Sequence, residues 1–108
     1  MAGISDSSVI DLVTYDPSRD EIAVIMIADR PWSDSPELLD QIVAKLNTYV
    51  HFIQEGSLVQ NFPQAAGKAV RIQVDCNSTP TGKPSGLIDG ARDTLLARGI
   101  GIAVNVIT

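Results

Sequence analysis

Residues 21–29, Glu-Ile-Ala-Val-Ile-Met-Ile-Ala-Asp, decide the fold because they hold the longest uninterrupted apolar run of the chain, Ile22 to Ala28. Side chains alternate along a strand, so Ile22, Val24 and Met26 lie on one side and Ala23, Ile25 and Ile27 on the other. A strand that is apolar on both sides is typical of a central position, covered on both faces or covered by a partner.

The residues before this strand predict an antiparallel hairpin. Val9 to Tyr15 forms a first strand, and residues 16–20, Asp-Pro-Ser-Arg-Asp, form the turn. Proline fixes φ in such a turn, and aspartate side chains accept hydrogen bonds from nearby backbone amides. The two strands should therefore pair directly.

The residues after it predict a long amphipathic helix from Pro36 to Glu55. Asp34 or Ser35 is expected to cap its start, and Gly56 to end it. Apolar residues recur at spacings of three and four, which indicates one buried stripe: Leu39, Ile42, Leu46, Tyr49, Val50 and Ile53.

The second half of the chain predicts a connector over 57–68, a strand from Ala69 to Asp75, a helix capped by Ser85 and a last strand from Ile100 to Ile107. The fold class is thus α+β with the order ββαβαβ: a four-stranded mixed sheet with two helices packed on one face. Residues 1–108 should form a single domain, with 1–8 as a flexible N-terminal tail. Strands joined by a helix are expected to be parallel with right-handed crossovers.

The charge pattern limits the classes of binding partner that are expected. The 108 residues carry eight scattered basic and thirteen acidic side chains, a net charge of −5. Binding to nucleic acid needs several cations on one surface, so neither nucleic acid nor an anionic membrane is an expected partner. A cationic protein partner stays possible. No stretch has the roughly 20 apolar residues needed to span a bilayer, and the start of the chain lacks a signal peptide, which favours a cytoplasmic protein.

The loop over 76–86 lies between a strand and a helix, where phosphate-binding loops occur. Gly82-Lys83 is present, but Asn77 stands where the motif needs its first glycine and Pro84 where it needs a hydroxyl. The loop is therefore interpreted as a connection, with a weak anion site at Lys83 and Ser85 as the alternative.

Other polar residues are too dispersed to predict a catalytic, cofactor or metal site. His51 and Cys76, each present once, would form a nucleophile–base pair only in hydrogen-bond contact, yet one faces outward on the helix while the other ends a strand. Asp16, Asp20 and Glu21 lack the glycine and distant glutamate of a calcium loop. We predict no cofactor, no metal and no catalytic residue.

From Val9 onward the chain resembles a bacterial family of unknown function, DUF6572. The resemblance carries no activity, cofactor or site residue, and it agrees with the predicted element order. It rests on these stretches: Val9-Ile10-Asp11, Asp29 to Trp32, Lys45-Leu46-Asn47-Thr48-Tyr49, Phe52-Ile53, Gly56, Pro63 and Gly67-Lys68-Ala69-Val70-Arg71-Ile72.

The function remains unknown from sequence, and two hypotheses are kept. The first is a non-enzymatic interaction domain, a homodimer or partner binder, using an apolar sheet face or a sheet edge. If the helices cover Ile10, Leu12 and Val24, the opposite face is expected to carry these interface residues: Val9, Val13, Tyr15, Ile25 and Ile27, with Trp32 as an exposed anchor. The alternative is a small-molecule binder or weak enzyme with a pocket near Trp32, Tyr49 and the 76–86 loop.

Overall fold

The computed structural model describes residues 6–107 and contains four strands and three helices. Its elements follow the predicted order, with one short helix added: β1 Leu12–Asp16, β2 Glu21–Ala28, α1 Pro36–Gln54, α2 Ser57–Asn61, β3 Ala69–Cys76, α3 Gly82–Leu96 and β4 Ile100–Val106. None of the helices between residues 6 and 107 combines the length and the hydrophobicity of a membrane-spanning segment.

The four strands form one mixed sheet in the order β1-β2-β3-β4. The β1–β2 pair is antiparallel, as a short hairpin requires, while β2–β3 and β3–β4 are parallel. The apolar strand β2 is central, as predicted. Because both crossovers step in the same direction and right-handed crossovers are the rule, all helices lie on one face. We call this the helix face, and the other side of the sheet the open face.

The hydrophobic core lies between the sheet and the helices, with α1 contributing the longest buried stripe. Ser35 caps α1, since its Oγ accepts a hydrogen bond from the Leu38 N–H at 3.1 Å. The inward stripe of α1 begins at Leu38, which is buried, rather than at the predicted Leu39, which is only partly buried. The helix stripe and the even-numbered residues of β2 and β3 form one buried cluster whose members include Ile22, Val24, Met26, Ile42, Leu46, Ile72 and Val74.

Two helix predictions needed correction. The 57–68 connector contains α2, whose Leu58 is buried in the core, and it continues into a 3₁₀ turn at Pro63–Ala65. Helix α2 has only five residues, which is too few for hydrophobic periodicity to predict a helix. The second long helix begins at Gly82 after Thr81, so Ser85 lies inside it and is not its cap.

Candidate functional site

The face on which each β1 side chain lies follows from the pairing register. Leu12 is opposite Ile25, whereas Val13 is opposite Val24 and Tyr15 is opposite Ile22. Directly paired residues share a face, so Val13 and Tyr15 lie on the helix face, and Val13 packs against the core. The prediction that these two lie opposite the helices, with Leu12 beneath them, is wrong. A shift of one residue in a strand exchanges all its side chains between faces.

The open face carries a polar network instead of the predicted apolar patch. Along β3, Arg71 bonds to Gln73 (2.9 Å) and Gln73 bonds to Asp75 (2.8 Å). Across the sheet, Arg71 also pairs with Glu21 (2.7 Å) and Asp16 (3.0 Å). Burial acts against the charge of Arg71, yet these two carboxylates hold the pKa of its guanidinium above the ordinary value.

This network leaves little apolar surface on the open face. Ile25 is only 6 % exposed, flanked in the register by Leu12 and Gln73, and Ile27 is partly buried. Leu12, at 50 % exposed, is the main apolar contribution to this side. The predicted apolar patch is therefore not formed on the open face.

Side chains close the part of the β2 edge that β1 does not cover. Just before β1 begins, the Asp11 carboxylate accepts the Ile27 N–H at 2.9 Å, and the Tyr49 hydroxyl donates to the Ile25 carbonyl at 2.6 Å. The same hydroxyl accepts the Asp11 N–H at 3.0 Å. Lys45 completes the group with an ion pair to Asp11 at 3.0 Å, and both side chains are fully buried. This closed edge replaces a missing strand with side-chain hydrogen bonds.

Lys45 also positions the N-terminal segment. Its Nζ donates to the backbone carbonyls of Asp6 and Val9, and Thr48 Oγ1 bonds to the carbonyl of Ser7. Asp6 and Ser7 of the predicted flexible tail are therefore bonded to α1, while residues 1–5 lie outside the described residues. The sequence signal for this buried lysine was its place in the inward stripe, between Ile42 and Tyr49.

The opposite edge, β4, is open. The Ile107 N–H donates to the Cys76 carbonyl at 2.7 Å, so odd-numbered residues of this strand face β3. Backbone direction alternates, which leaves the N–H and C=O groups of Ile100, Ile102, Val104 and Val106 pointing away from the sheet. By the same alternation, β1 turns only Val13 and Tyr15 outward.

The sequence of β4 offers no protection to this edge. Natural edge strands are usually blunted by charged residues, proline, bulges or shortness. Ile-Gly-Ile-Ala-Val-Asn-Val-Ile, residues 100–107, contains no charge and no proline. Arg92 of α3 reaches the edge with a long hydrogen bond of 3.4 Å from Nε to the Ile102 carbonyl.

Trp32 is partly buried against the core and joins two loops, its Nε1 donating to the Ser78 carbonyl at 2.8 Å. The neighbouring Asp34 carboxylate accepts the Lys83 N–H at 2.9 Å at the start of α3. A carboxylate of this chain thus occupies the helix N-terminus where the weak anion site at Lys83 and Ser85 was predicted.

The residues of the other candidate sites are held apart. His51 is exposed near the end of α1 and pairs with Glu55 at 2.9 Å, while Cys76 is buried at the carboxyl end of β3. Burial and the Asp75 carboxylate raise the pKa of the Cys76 thiol, which disfavours the thiolate. Among residues 6–107, no group of three or more His, Cys, Asp or Glu side chains is arranged to hold a metal ion.

The acidic turn is neutralised by bases of the same chain. Asp16 pairs with Arg71, and Asp20 pairs with Lys68 at 2.6 Å. Hydrogen bonds from Ser18 and Arg71 lower the pKa of the Asp16 carboxyl, and those from Lys68 and Tyr15 lower that of Asp20. These contacts are those of a charge-paired hairpin turn.

The pocket predicted near Trp32, Tyr49 and the 76–86 loop is not assembled. Trp32 contacts the loop, but Tyr49 is fully buried beneath β2 and uses its hydroxyl within the closed edge. A groove of about 500 Å³ does lie between α1 and α3, with mostly aliphatic lining residues such as Val43, Val50, Leu87 and Leu95. Its polar lining residues are Asn47, Thr94 and Arg98, of which Thr94 donates to the Gly90 carbonyl and Arg98 to Gln54.

Comparison with known proteins completes the description. Neither the curated proteins nor the solved structures contain a match to this chain. A family model does match, and it spans residues 2–108, nearly the whole sequence. The chain therefore belongs to the family of unknown function DUF6572.

Proposed function

We propose that this domain is a non-enzymatic protein-interaction module that binds an extended polypeptide segment as a fifth strand along β4. The observation that carries the proposal is the contrast between the two edges of one sheet. β1 is five residues long and adjoins the closed edge and a charged turn, whereas β4 has seven uncharged residues, four of which turn their backbone groups outward.

An added strand supplies hydrogen-bond partners for the outward backbone groups of β4. An added strand would satisfy the outward N–H and C=O groups of Ile102 and Val104 with backbone hydrogen bonds. Apolar side chains that stand beside the edge, among them Val106 at 36 % exposed and the neighbouring Ile107 at 53 %, would lose contact with water. Main-chain bonds give such docking its affinity, and the alternating side chains give it specificity.

The test is binding of a synthetic strand to the full chain. A fluorescent peptide with the sequence of residues 99–107 and a lysine tail is titrated with the protein and followed by anisotropy. Val104→Pro removes one outward N–H and no bond to β3, so we expect the affinity to fall at least about tenfold. Val13→Pro makes the same change at the β1 edge and should leave the affinity unchanged.

Two controls distinguish a loss of peptide binding from a loss of folded structure. Circular dichroism reports whether each variant retains its structure, and an N-methylated copy of the peptide, which cannot donate along either edge, is titrated against the unaltered protein. It should not bind. Equal loss of binding in both proline variants, binding of the N-methylated peptide, or no binding of the parent peptide would overturn the proposal.

A further inference from the structure

The flank of α3 beside the β4 edge is the surface that an added strand meets next. Ser85, Asp89, Arg92 and Leu96 recur at spacings of four, three and four, so they follow one side of the helix. Arg92 reaches the Ile102 carbonyl, and a cavity of about 180 Å³ is lined by Ser85, Asp89 and Arg92 together with Val104 of β4. We call this side of α3 the outer flank.

From the outer flank we infer that the strand accepted by β4, in the function proposed above, is β4 of a second copy of this chain, running antiparallel about a two-fold axis at Ala103. The outward residues are symmetric about that position. Ile102 would bond with Val104 of the second copy, and Ile100 with Val106. A two-fold interface needs this kind of self-complementary surface.

The charges of the outer flank fit the same axis. Arg92 bonds to the Ile102 carbonyl, and both Arg92 and Asp89 line the cavity with Val104. Because α3 and β4 run in opposite directions, Asp89, which precedes Arg92 on the helix, lies toward the Val104 side of Ala103. An antiparallel dimer therefore places Asp89 of each copy opposite Arg92 of the other, which gives two opposite-charge pairs. A parallel pairing of the same two edges would place α3 of the two copies on opposite faces of the joined sheet, so neither charge pair could form.

Asp89 and Arg92 can exchange their contacts within one chain for contacts with a second copy. Asp89 and Arg92 pair with each other at 2.6 Å, with side chains 65 % and 41 % exposed. When a second β4 arrives, the Val104 N–H of that copy takes the Ile102 carbonyl, and the guanidinium is released toward the opposite Asp89. Asp89, Arg92 and the Ile102 carbonyl therefore each have a partner in both states.

The apolar end of the outer flank is also covered in this dimer. Leu96, at 67 % exposed, lies one helical turn beyond Arg92, level with the Ile100 end of β4. Across the axis that end meets Val106 of the second copy, which is 36 % exposed. Leu96 of one copy and Val106 of the other would thus be buried together at each end of the dimer interface.

Charge reversal at the outer flank tests this dimer, with the oligomeric state measured by sedimentation equilibrium. Asp89→Arg and Arg92→Asp each place like charges across the axis and should weaken dimerisation at least about tenfold. An equimolar mixture of the two variants restores both opposite-charge pairs between copies and should dimerise as the unaltered chain does. Repair within one helix cannot explain that rescue.

Asp93→Arg is the matched control because it makes the same charge change on an exposed position of α3 outside the outer flank. It should dimerise normally. A monomeric parent chain up to about 1 mM, single variants that dimerise normally, or a mixture that stays monomeric would overturn the inference. If the synthetic strand still binds in those cases, the proposed function survives and only the second copy is excluded as its partner.

Discussion

Replacing Lys45 with methionine is expected to lower the free energy of unfolding by about 3–5 kcal/mol, the usual cost of removing one partner from a buried ion pair. The substitution leaves the Asp11 carboxylate fully buried without its cation. It also releases the carbonyls of Asp6 and Val9, both of which accept from the lysine ammonium. Methionine retains much of the side-chain volume, so the loss reports charge and hydrogen bonding more than packing.

Urea unfolding followed by circular dichroism measures this change. Lys68→Met is the matched control because it removes a lysine from an ion pair with Asp20 that is open to solvent, the side chains being 34 % and 63 % exposed, and it should lower the free energy of unfolding by at most about 1 kcal/mol. Pairing Lys45→Met with Asp11→Asn should recover part of the loss, since the unpaired buried charge is then gone. Equal effects of the two lysine substitutions would contradict the structural role given to the closed edge.

Tyr49→Phe is expected to cost about 1–3 kcal/mol of stability, the range for buried groups left without a hydrogen-bond partner. The hydroxyl donates to the Ile25 carbonyl and accepts the Asp11 N–H, so its removal affects two backbone groups at once. Burial raises the pKa of this phenol above its ordinary value, so the hydroxyl keeps its proton at neutral pH.

Tyr15→Phe is the control for that experiment. Its hydroxyl bonds to the Asp20 carboxylate at 2.6 Å on the surface, where water can replace the lost partner. Urea unfolding should give the same free energy for this variant as for the parent chain. A Tyr49→Phe variant as stable as Tyr15→Phe would show that the closed edge does not depend on the tyrosine hydroxyl.

Much of the fold was predictable because hydrophobic periodicity is a local property. The apolar run at 22–28 indicated the central strand, and the stripe after Pro36 indicated α1 to within a residue at its end. Helix α2 was missed because five residues carry too little periodicity. The start of α3 was misplaced because its N-terminus is held by Asp34, a residue far away in sequence.

The site was less predictable because it depends on long-range register. A sequence gives the alternation of β1 but not which half of it faces the helices, so Val13 and Tyr15 were assigned to the wrong side. Lys45 was detectable in principle by its inward position, yet its partner Asp11 precedes a strand 34 residues earlier. The sheet edge was among the predicted surfaces, and only the strand order identified β4 as the open one.

Amide hydrogen exchange tests the central claim most directly, measured residue by residue on dilute protein with and without an excess of the 99–107 peptide. We predict that the Ile102 and Val104 amides, which point outward from β4, become protected when the peptide is added. The Val13 and Tyr15 amides at the β1 edge should keep their rates. Protection at β1 rather than β4, or no change at either edge with the peptide bound, would contradict this prediction.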